Sequence, residues 1–277
     1  MSLRFLKMNG LGNDFVVVPA EDRPFEPTPA QARAIASRED GFGCDQLISI
    51  SHSDKAHARM RIWNADGSEV EHCGNGARCV AWLMMRALDL PQVRIEAAAG
   101  VLEAYRDGEM RVTVDMGPPR LGWREIPLAW EMDTREVALK FDPELGAPGC
   151  VSMGNPHAVF FVETLDQALV DRAGPLIERH WLFPQRVNVG FAQIQGRNRI
   201  RLKVWERGVG PTQACGTGAC AALVAASRRG LVERRAVVEL DGGELFIDWS
   251  ETDDRVRMTG PVSVDDVGFL PELEMLT

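Results

Sequence analysis

Two short segments carry the residues best suited to do chemistry, Cys73-Gly74-Asn75-Gly76-Ala77 and Cys215-Gly216-Thr217-Gly218-Ala219. Each places a thiol at a glycine-rich turn ahead of an apolar, helix-forming run. Such a turn leaves the first backbone N–H groups of the helix unpaired at the positive end of the helix dipole, which makes an anion site. The same field is expected to lower the pKa of a cysteine placed there and favour its thiolate. Two such motifs facing each other would set two bases on opposite faces of one carbon. Inversion at an acidic carbon needs that arrangement, because one face loses a proton while the other gains one and the substrate stays still. The α-hydrogen of an amino acid is far less acidic than a thiol. Charge developing on the carboxylate must therefore be stabilised, and helix N-termini aimed at it would do so.

The remaining four of the six cysteines carry a plainer reading. Cys79 and Cys220 fall inside apolar helices, and Cys44 and Cys150 lack the glycine turn, so all four read as core residues. The Cys73/Cys79 and Cys215/Cys220 spacings are not those of zinc ligands, and His52, His57 and His180 form no ligand array, so no metal is expected. A disulfide framework is not expected either.

The two cysteine motifs belong to an internal repeat. Gly12-Asn13 recurs as Gly154-Asn155 and Cys73 as Cys215, both displaced by 142 positions, from 13 to 155 and from 73 to 215. The same displacement pairs Ile62-Trp63-Asn64 with Val204-Trp205-Glu206, and Gln46 with Asn188. Farther along, Met116-Gly117-Pro118 matches Thr259-Gly260-Pro261 one position later, so a single residue is inserted after the motifs. Asn13, Gln46, Asn64, Asn155, Asn188 and Glu206 keep register with the cysteines and read as the lining of one cleft. Glu206-Arg207 could take an ammonium and a carboxylate respectively.

The elements that must position these residues follow from the pattern. Alternating runs at Ala58–Trp63 and Ile200–Trp205 precede the cysteine motifs, and helices apolar nearly all round follow at Ala77–Leu88 and Ala219–Arg229. Strand-like runs then come at Val93–Ala97, Met110–Met116, Val237–Leu240 and Arg255–Thr259. The expected class is α+β, with two homologous domains, each a curved, largely antiparallel sheet wrapped around a central buried helix. The segment Pro119–Ala147, with strand-like Glu136–Lys140, links the halves.

Composition narrows the class of function. The chain has 277 residues, 45% of them apolar, enough for a sizeable core, and a net charge of −9 without long charged runs. That balance argues against nucleic acid as a partner. No apolar stretch approaches the roughly 20 residues of a membrane span, and Met1–Val18 does not read as a secretion signal, so a cytoplasmic protein with a small-molecule substrate is expected.

Beyond these readings, the chain resembles the diaminopimelate epimerase family over essentially its whole length. The resemblance lies in Met8-Asn9-Gly10-Leu11-Gly12-Asn13-Asp14-Phe15, Asn64-Ala65-Asp66-Gly67-Ser68-Glu69, Cys73-Gly74-Asn75-Gly76-Ala77-Arg78, Met153-Gly154-Asn155-Pro156-His157-Ala158, Asn188-Val189-Gly190-Phe191, Glu206-Arg207-Gly208 and Ala214-Cys215-Gly216-Thr217-Gly218-Ala219-Cys220. It implies interconversion of LL- and meso-2,6-diaminopimelate in lysine and peptidoglycan-precursor synthesis, without pyridoxal phosphate, other cofactor or metal. Cys215 would take the proton from the LL isomer and Cys73 would deliver one to the opposite face. Gly74, Asn75, Gly216 and Thr217 would hold the reacting carboxylate. Asn13, Gln46, Asn64, Asn155, Asn188, Glu206 and Arg207 would hold the amines and the distal carboxylate, while His157 and Glu206 would tune the thiols. The implied domains are 1–118 with 262–277, carrying Cys73, and 119–261, carrying Cys215, with the active site in the cleft between them. A homodimer is implied too, although Asp265-Asp266 stand where many relatives have an aromatic at the dimer contact. Pro211 replaces an acidic residue common before the second cysteine. A same-fold racemase or epimerase of proline, hydroxyproline or another diamino acid is the alternative enzyme. A receptor without catalysis, or a thiol redox switch, is the alternative of another class.

Overall fold

The structure, a computed structural model, describes residues 3–20, 25–70, 73–138 and 145–270. Contacts divide the chain into Met1–Asp115 with Thr259–Thr277, and Met116–Met258. The first unit runs β1 (Leu3–Gly10), β2 (Asn13–Pro19), α1 (Pro29–Ala36), β3 (Gln46–Ser51), β4 (Ala58–Asn64), β5 (Glu69–Val70), α2 (Gly74–Leu88), β6 (Gln92–Ala97), β7 (Gly100–Arg106) and β8 (Arg111–Asp115). The second runs β9 (Gly149–Ser152), β10 (Pro156–Phe161), α3 (Gln167–Glu178), β11 (Asn188–Gly196), β12 (Arg199–Glu206), β13 (Gly210–Thr212), α4 (Gly216–Arg228), β14 (Arg235–Leu240) and β15 (Gly243–Trp249). β16 (Val256–Pro261) and β17 (Ser263–Leu270) follow.

Strand pairing repeats from one unit to the other. β2–β3 and β10–β11 are parallel, and Phe15 faces Gln46 as His157 faces Asn188. β3–β4 and β11–β12 are antiparallel, and Leu47 faces Trp63 as Val189 faces Trp205. β4–β6 and β12–β14 are parallel again, with Ala58 opposite Ile95 and Ile200 opposite Val238. The displacement is 142 at Ala58 and 143 at Ile95, so the inserted residue falls before β14. The sheets are thus mixed, with antiparallel pairs in the majority. The tail segment Ser263–Leu270 adds to the first unit, antiparallel to β1, with Leu3 opposite Leu270; residues 271–277 lie outside the described residues.

The centre of each unit is a helix because both faces of the central strands are covered. Leu47 and Ile48 are adjacent in β3 and both are buried. Leu47 belongs to the cluster with Ala32, Ile35 and Ala36 of α1, while the position of Gly76 puts Ile48 against the start of α2. Burying one such side chain contributes about 1.5–3 kcal/mol. α4 is buried continuously from Gly218 to Ala226, as its run of alanines, Leu223 and Val224 requires.

The helices begin three residues earlier than their apolar runs suggest. Cys73 and Cys215 are the N-caps, with extended backbones, and the glycines form the first helical turn rather than a loop before it. Their role is close approach. A Cβ on Gly76 would stand 2.8 Å from Ile48 Cδ1, and one on Gly218 would stand 3.1 Å from Val204 Cγ2 and 3.2 Å from Cys215 Sγ. A side chain at either place would have to push aside the strand residue or the sulfur beside it. The linking segment differs from expectation as well. Glu136–Ala138 is not a strand; Val137 is fully buried, with its N–H bonded to Pro148 O, but has no ladder partner strand. Leu139 and Lys140 lie outside the described residues.

Candidate functional site

In the first unit the polar residues singled out by the repeat form two hydrogen-bonded groups. Gly12, with φ of 87°, closes the β1–β2 hairpin and delivers Asn13 to the start of β2. Asn75 Nδ2 donates to Asn13 Oδ1 at 2.7 Å, and Asn13 Nδ2 donates to Asp45 Oδ2 at 3.4 Å. Gln46 and Asn64 face each other across β3–β4, with Gln46 Nε2 donating to Asn64 Oδ1 at 3.0 Å and Asn64 Nδ2 donating to Ser68 Oγ at 3.1 Å. Cys73, half-buried, accepts the Gly76 N–H at 3.3 Å. Gly74 is the first residue of α2.

The second unit connects its residues to the sulfur. Gly154, with φ of 93°, precedes Asn155 as Gly12 precedes Asn13. His157 Nε2 lies 3.0 Å from Asn155 Oδ1, Asn155 Nδ2 donates to Thr217 Oγ1 at 3.3 Å, and Thr217 Oγ1 lies 3.6 Å from Cys215 Sγ. Since Asn155 Oδ1 can only accept, the bond needs the His157 proton on Nε2. His157 is buried, and burial first, then the charge of Arg207, hold its pKa down to about 3, so the ring is neutral. It reaches toward Cys215 through Asn155 and Thr217.

Glu206, at the end of β12, accepts from Thr212 Oγ1 at 2.6 Å. Burial raises its pKa, against the lowering effect of hydrogen bonds from Thr212 and Cys215. The Cys215 thiol is pushed well above the ordinary range by burial and then by the Glu206 charge, with Thr217 and the Gly218 N–H pulling the other way. This corrects the expectation that a helix N-terminus leaves the thiol acidic. At Cys215 the loss of water and a neighbouring carboxylate outweigh the dipole. The resting group is a neutral thiol.

Arg207 and Asn188 are tied together. Arg207 N–H donates to Asn188 Oδ1 at 2.9 Å, Asn188 Nδ2 donates to Pro156 O at 2.9 Å, and Arg207 Nη1 donates to Gln185 O at 3.1 Å. Behind this hairpin sits a carboxylate that the sequence reading missed. Glu178, buried at the end of α3, accepts from Trp205 Nε1 at 2.8 Å and from Gly208 N–H at 3.1 Å. Arg78 and Asp45 were missed too, though Arg78 sits inside the first cysteine motif and Asp45 next to Gln46. Nothing in spacing marks a residue that holds another in place. Among the described residues no cluster of His, Cys, Asp and Glu could hold a metal ion, and no helix is long and apolar enough to cross a membrane. The other cysteines are core groups, with burial raising Cys44 to about 11 and Cys79 and Cys150 to about 12.

The family model for diaminopimelate epimerase matches residues 5–122 and 149–264. A diaminopimelate epimerase of Phenylobacterium zucineum is 61% identical, over 98% of this chain and 99% of its own. One of Caulobacter vibrioides is 53% identical, over 99% of both chains. Among solved structures, a probable proline racemase from Agrobacterium radiobacter K84 superposes with a TM-score of 0.68 at 18% identity, over 98% of this chain and 93% of its own. That likeness shows the shared fold.

Proposed function

The chain belongs to the diaminopimelate epimerase family, and from that premise we propose that Cys73 and Cys215 exchange protons at one α-carbon of 2,6-diaminopimelate, interconverting the LL and meso isomers. The observation that carries this reading is that each unit caps its buried helix with a cysteine at the same repeat position. The reacting carboxylate is held by the first-turn N–H groups at Gly74, Asn75, Gly216 and Thr217, where the helix dipoles offset the charge that builds up as the α-proton leaves. Asn13, Gln46, Asn64, Asn155, Asn188 and Arg207 hold the amines and the distal carboxylate.

Cys215 starts as a thiol hydrogen-bonded to Glu206. To act as the base on the LL isomer it must first lose its proton, and Glu206, whose own pKa is raised, is the adjacent acceptor. The pair shares one proton. The Thr217 hydroxyl, which accepts from Asn155, keeps its hydrogen for the sulfur and stabilises the thiolate once formed. His157 tunes this sulfur by fixing Asn155. The same reading makes the protein a cytoplasmic homodimer, acting in lysine and peptidoglycan-precursor synthesis without pyridoxal phosphate.

The test is incubation with LL-diaminopimelate in deuterated water, followed by chiral analysis and mass spectrometry. Isomerisation with one deuterium at the inverted carbon is expected. Binding without exchange would mean a receptor, and turnover of proline with none of diaminopimelate would move the substrate class.

A further inference from the structure

Arg78 lies on the second turn of α2 and is fully buried. Its Nη1 donates to Asn75 Oδ1 at 2.9 Å, and its Nε donates to Pro261 O at 3.4 Å. A guanidinium only donates, so Asn75 must turn its oxygen to Arg78 and its NH2 to Asn13. Asn13 in turn points its NH2 at Asp45. Asp45 is a carboxylate, which when ionised only accepts, and it is held by Arg38 Nη2 at 2.8 Å and the Asp14 N–H at 3.0 Å. Two amides therefore lie between a donor-only group and an acceptor-only group. Flipping either one sets N–H against N–H or oxygen against oxygen.

We propose that Arg78 and Asp45 are positioning residues that fix the amide orientation of Asn13 and Asn75 before substrate arrives, resting on the reading that these two asparagines hold substrate. With its oxygen engaged by Asn75 and one N–H by Asp45, Asn13 has the second hydrogen of its NH2 to offer. Without the two ends, each amide is free to flip, and part of the free protein presents the wrong atom, which weakens apparent affinity by the fraction misoriented.

The repeat separates this device from the inherited scaffold. At the positions equivalent to Asn13, Asp45, Asn75 and Arg78 the second unit has Asn155, Val187, Thr217 and Cys220. Both ends of the clamp are absent there, although the strands and the helix are the same. Asn155 is instead oriented by His157, whose place in the first unit is taken by Phe15.

The experiment uses Asp45→Asn, at a partly exposed site, with Arg78→Lys and Asn13→Ala. Asp45→Asn gains an NH2 that can face either way. It should raise KM for LL-diaminopimelate several-fold with kcat little changed, and Arg78→Lys should do the same. In the Asn13→Ala background Asp45→Asn should have no further effect on KM, because it acts through Asn13; groups that act through one another are not additive. A full, multiplicative effect of Asp45→Asn in that background would overturn the clamp, as would an unchanged KM in Asp45→Asn while Asn13→Ala raises it. An unchanged KM in Asn13→Ala would overturn the reading of Asn13 as a ligand, and the clamp with it. If Arg78→Lys does not fold, the Asp45 and Asn13 cycle decides alone.

Discussion

Asn13 and Asn155 occupy the same position of the repeat and carry their amides in opposite senses: Asn13 accepts from the helix residue Asn75, whereas Asn155 donates to the helix residue Thr217. In the first unit the chain of donors runs away from the helix start toward Asp45. In the second it runs from His157 toward Cys215. Two halves of one ancestry thus give their cysteines different surroundings.

Cys73→Ala and Cys215→Ala should each reduce epimerisation by about 10²–10⁴-fold or more, since each removes one face's proton carrier. Far-UV circular dichroism and thermal melting should be close to those of the parent protein. Retention of most of the turnover in either variant would end the two-base assignment.

Glu206→Gln should lower the pKa of Cys215. The carboxylate charge raises that pKa, and the amide has none. The alkylation rate of Cys215 by iodoacetamide, followed against pH by peptide mass spectrometry, should show its inflection at lower pH in the variant. An inflection that stays put or moves up would remove Glu206 from the control of this sulfur.

His157 gives the fold an acid limit. Its pKa is about 3 in the folded chain against 6.5 for the free side chain. Between those values the unfolded chain binds the extra proton, so stability is full above pH 6.5 and falls as pH drops toward 3, by up to about 1.4 kcal/mol per pH unit. In His157→Gln that part of the slope should vanish from denaturant midpoints measured between pH 6.5 and 4. An identical slope in the variant would place the acid sensitivity elsewhere.

Glu178 answers two N–H donors with two oxygens, and a glutamine has only one to offer. Glu178→Gln should destabilise the second unit by about 1–3 kcal/mol and raise KM by displacing the hairpin that bears Glu206 and Arg207. Gly174→Ala attacks the same hairpin by volume, since the new Cβ would stand 2.6 Å from Trp205 Cγ. Kinetics and melting of both variants check this, and wild-type KM in both would show that the hairpin needs no support from α3.

Arg207→Ala should weaken substrate binding by about 2–5 kcal/mol, the cost of leaving a carboxylate without its charged partner. Isothermal titration with diaminopimelate measures it directly. Unchanged affinity would move the distal carboxylate to other residues.

The repeat was legible because the polar candidates and the strand pairing share its register: Trp63 and Trp205, Gln46 and Asn188 sit at equal displacement in the sequence and at equal places in the ladders. Long apolar helices were legible from their runs of alanine and methionine. The helix starts were misjudged because glycine reads as a loop residue, whereas Gly76 and Gly218 are helical and chosen for their lack of a Cβ. The acidity of Cys215 was misjudged because a motif displays the helix dipole but not the burial around it. Glu136–Lys140 alternates like a strand, yet Val137 is buried by side-chain packing without a neighbouring strand to make a ladder. Asp45 and Glu178 stayed hidden because groups they accept from, Asn13 and Asp14 or Trp205 and Gly208, lie 27–32 positions away and are brought close only by folding; Arg78 meets Asn75 one helical turn back, a spacing common to any helix.

The inserted residue of the second half lies after its cysteine and before β14. α2 leaves through Asp89, with φ of 52°, and α4 leaves past Gly230, with φ of 68°. The exit of the helix is thus a stretch where these two copies have lost count of each other, and the turn before β2 and β10 is another: Gly10 faces Asn13 across two residues, whereas Ser152 faces Pro156 across three. Between Asn155 and Cys215 there is no such slack, because β10, β11, β12 and the thiol all keep one displacement from their counterparts. A graft or a spacer is best tolerated at 229–234, and a history of length changes in this protein should be written there.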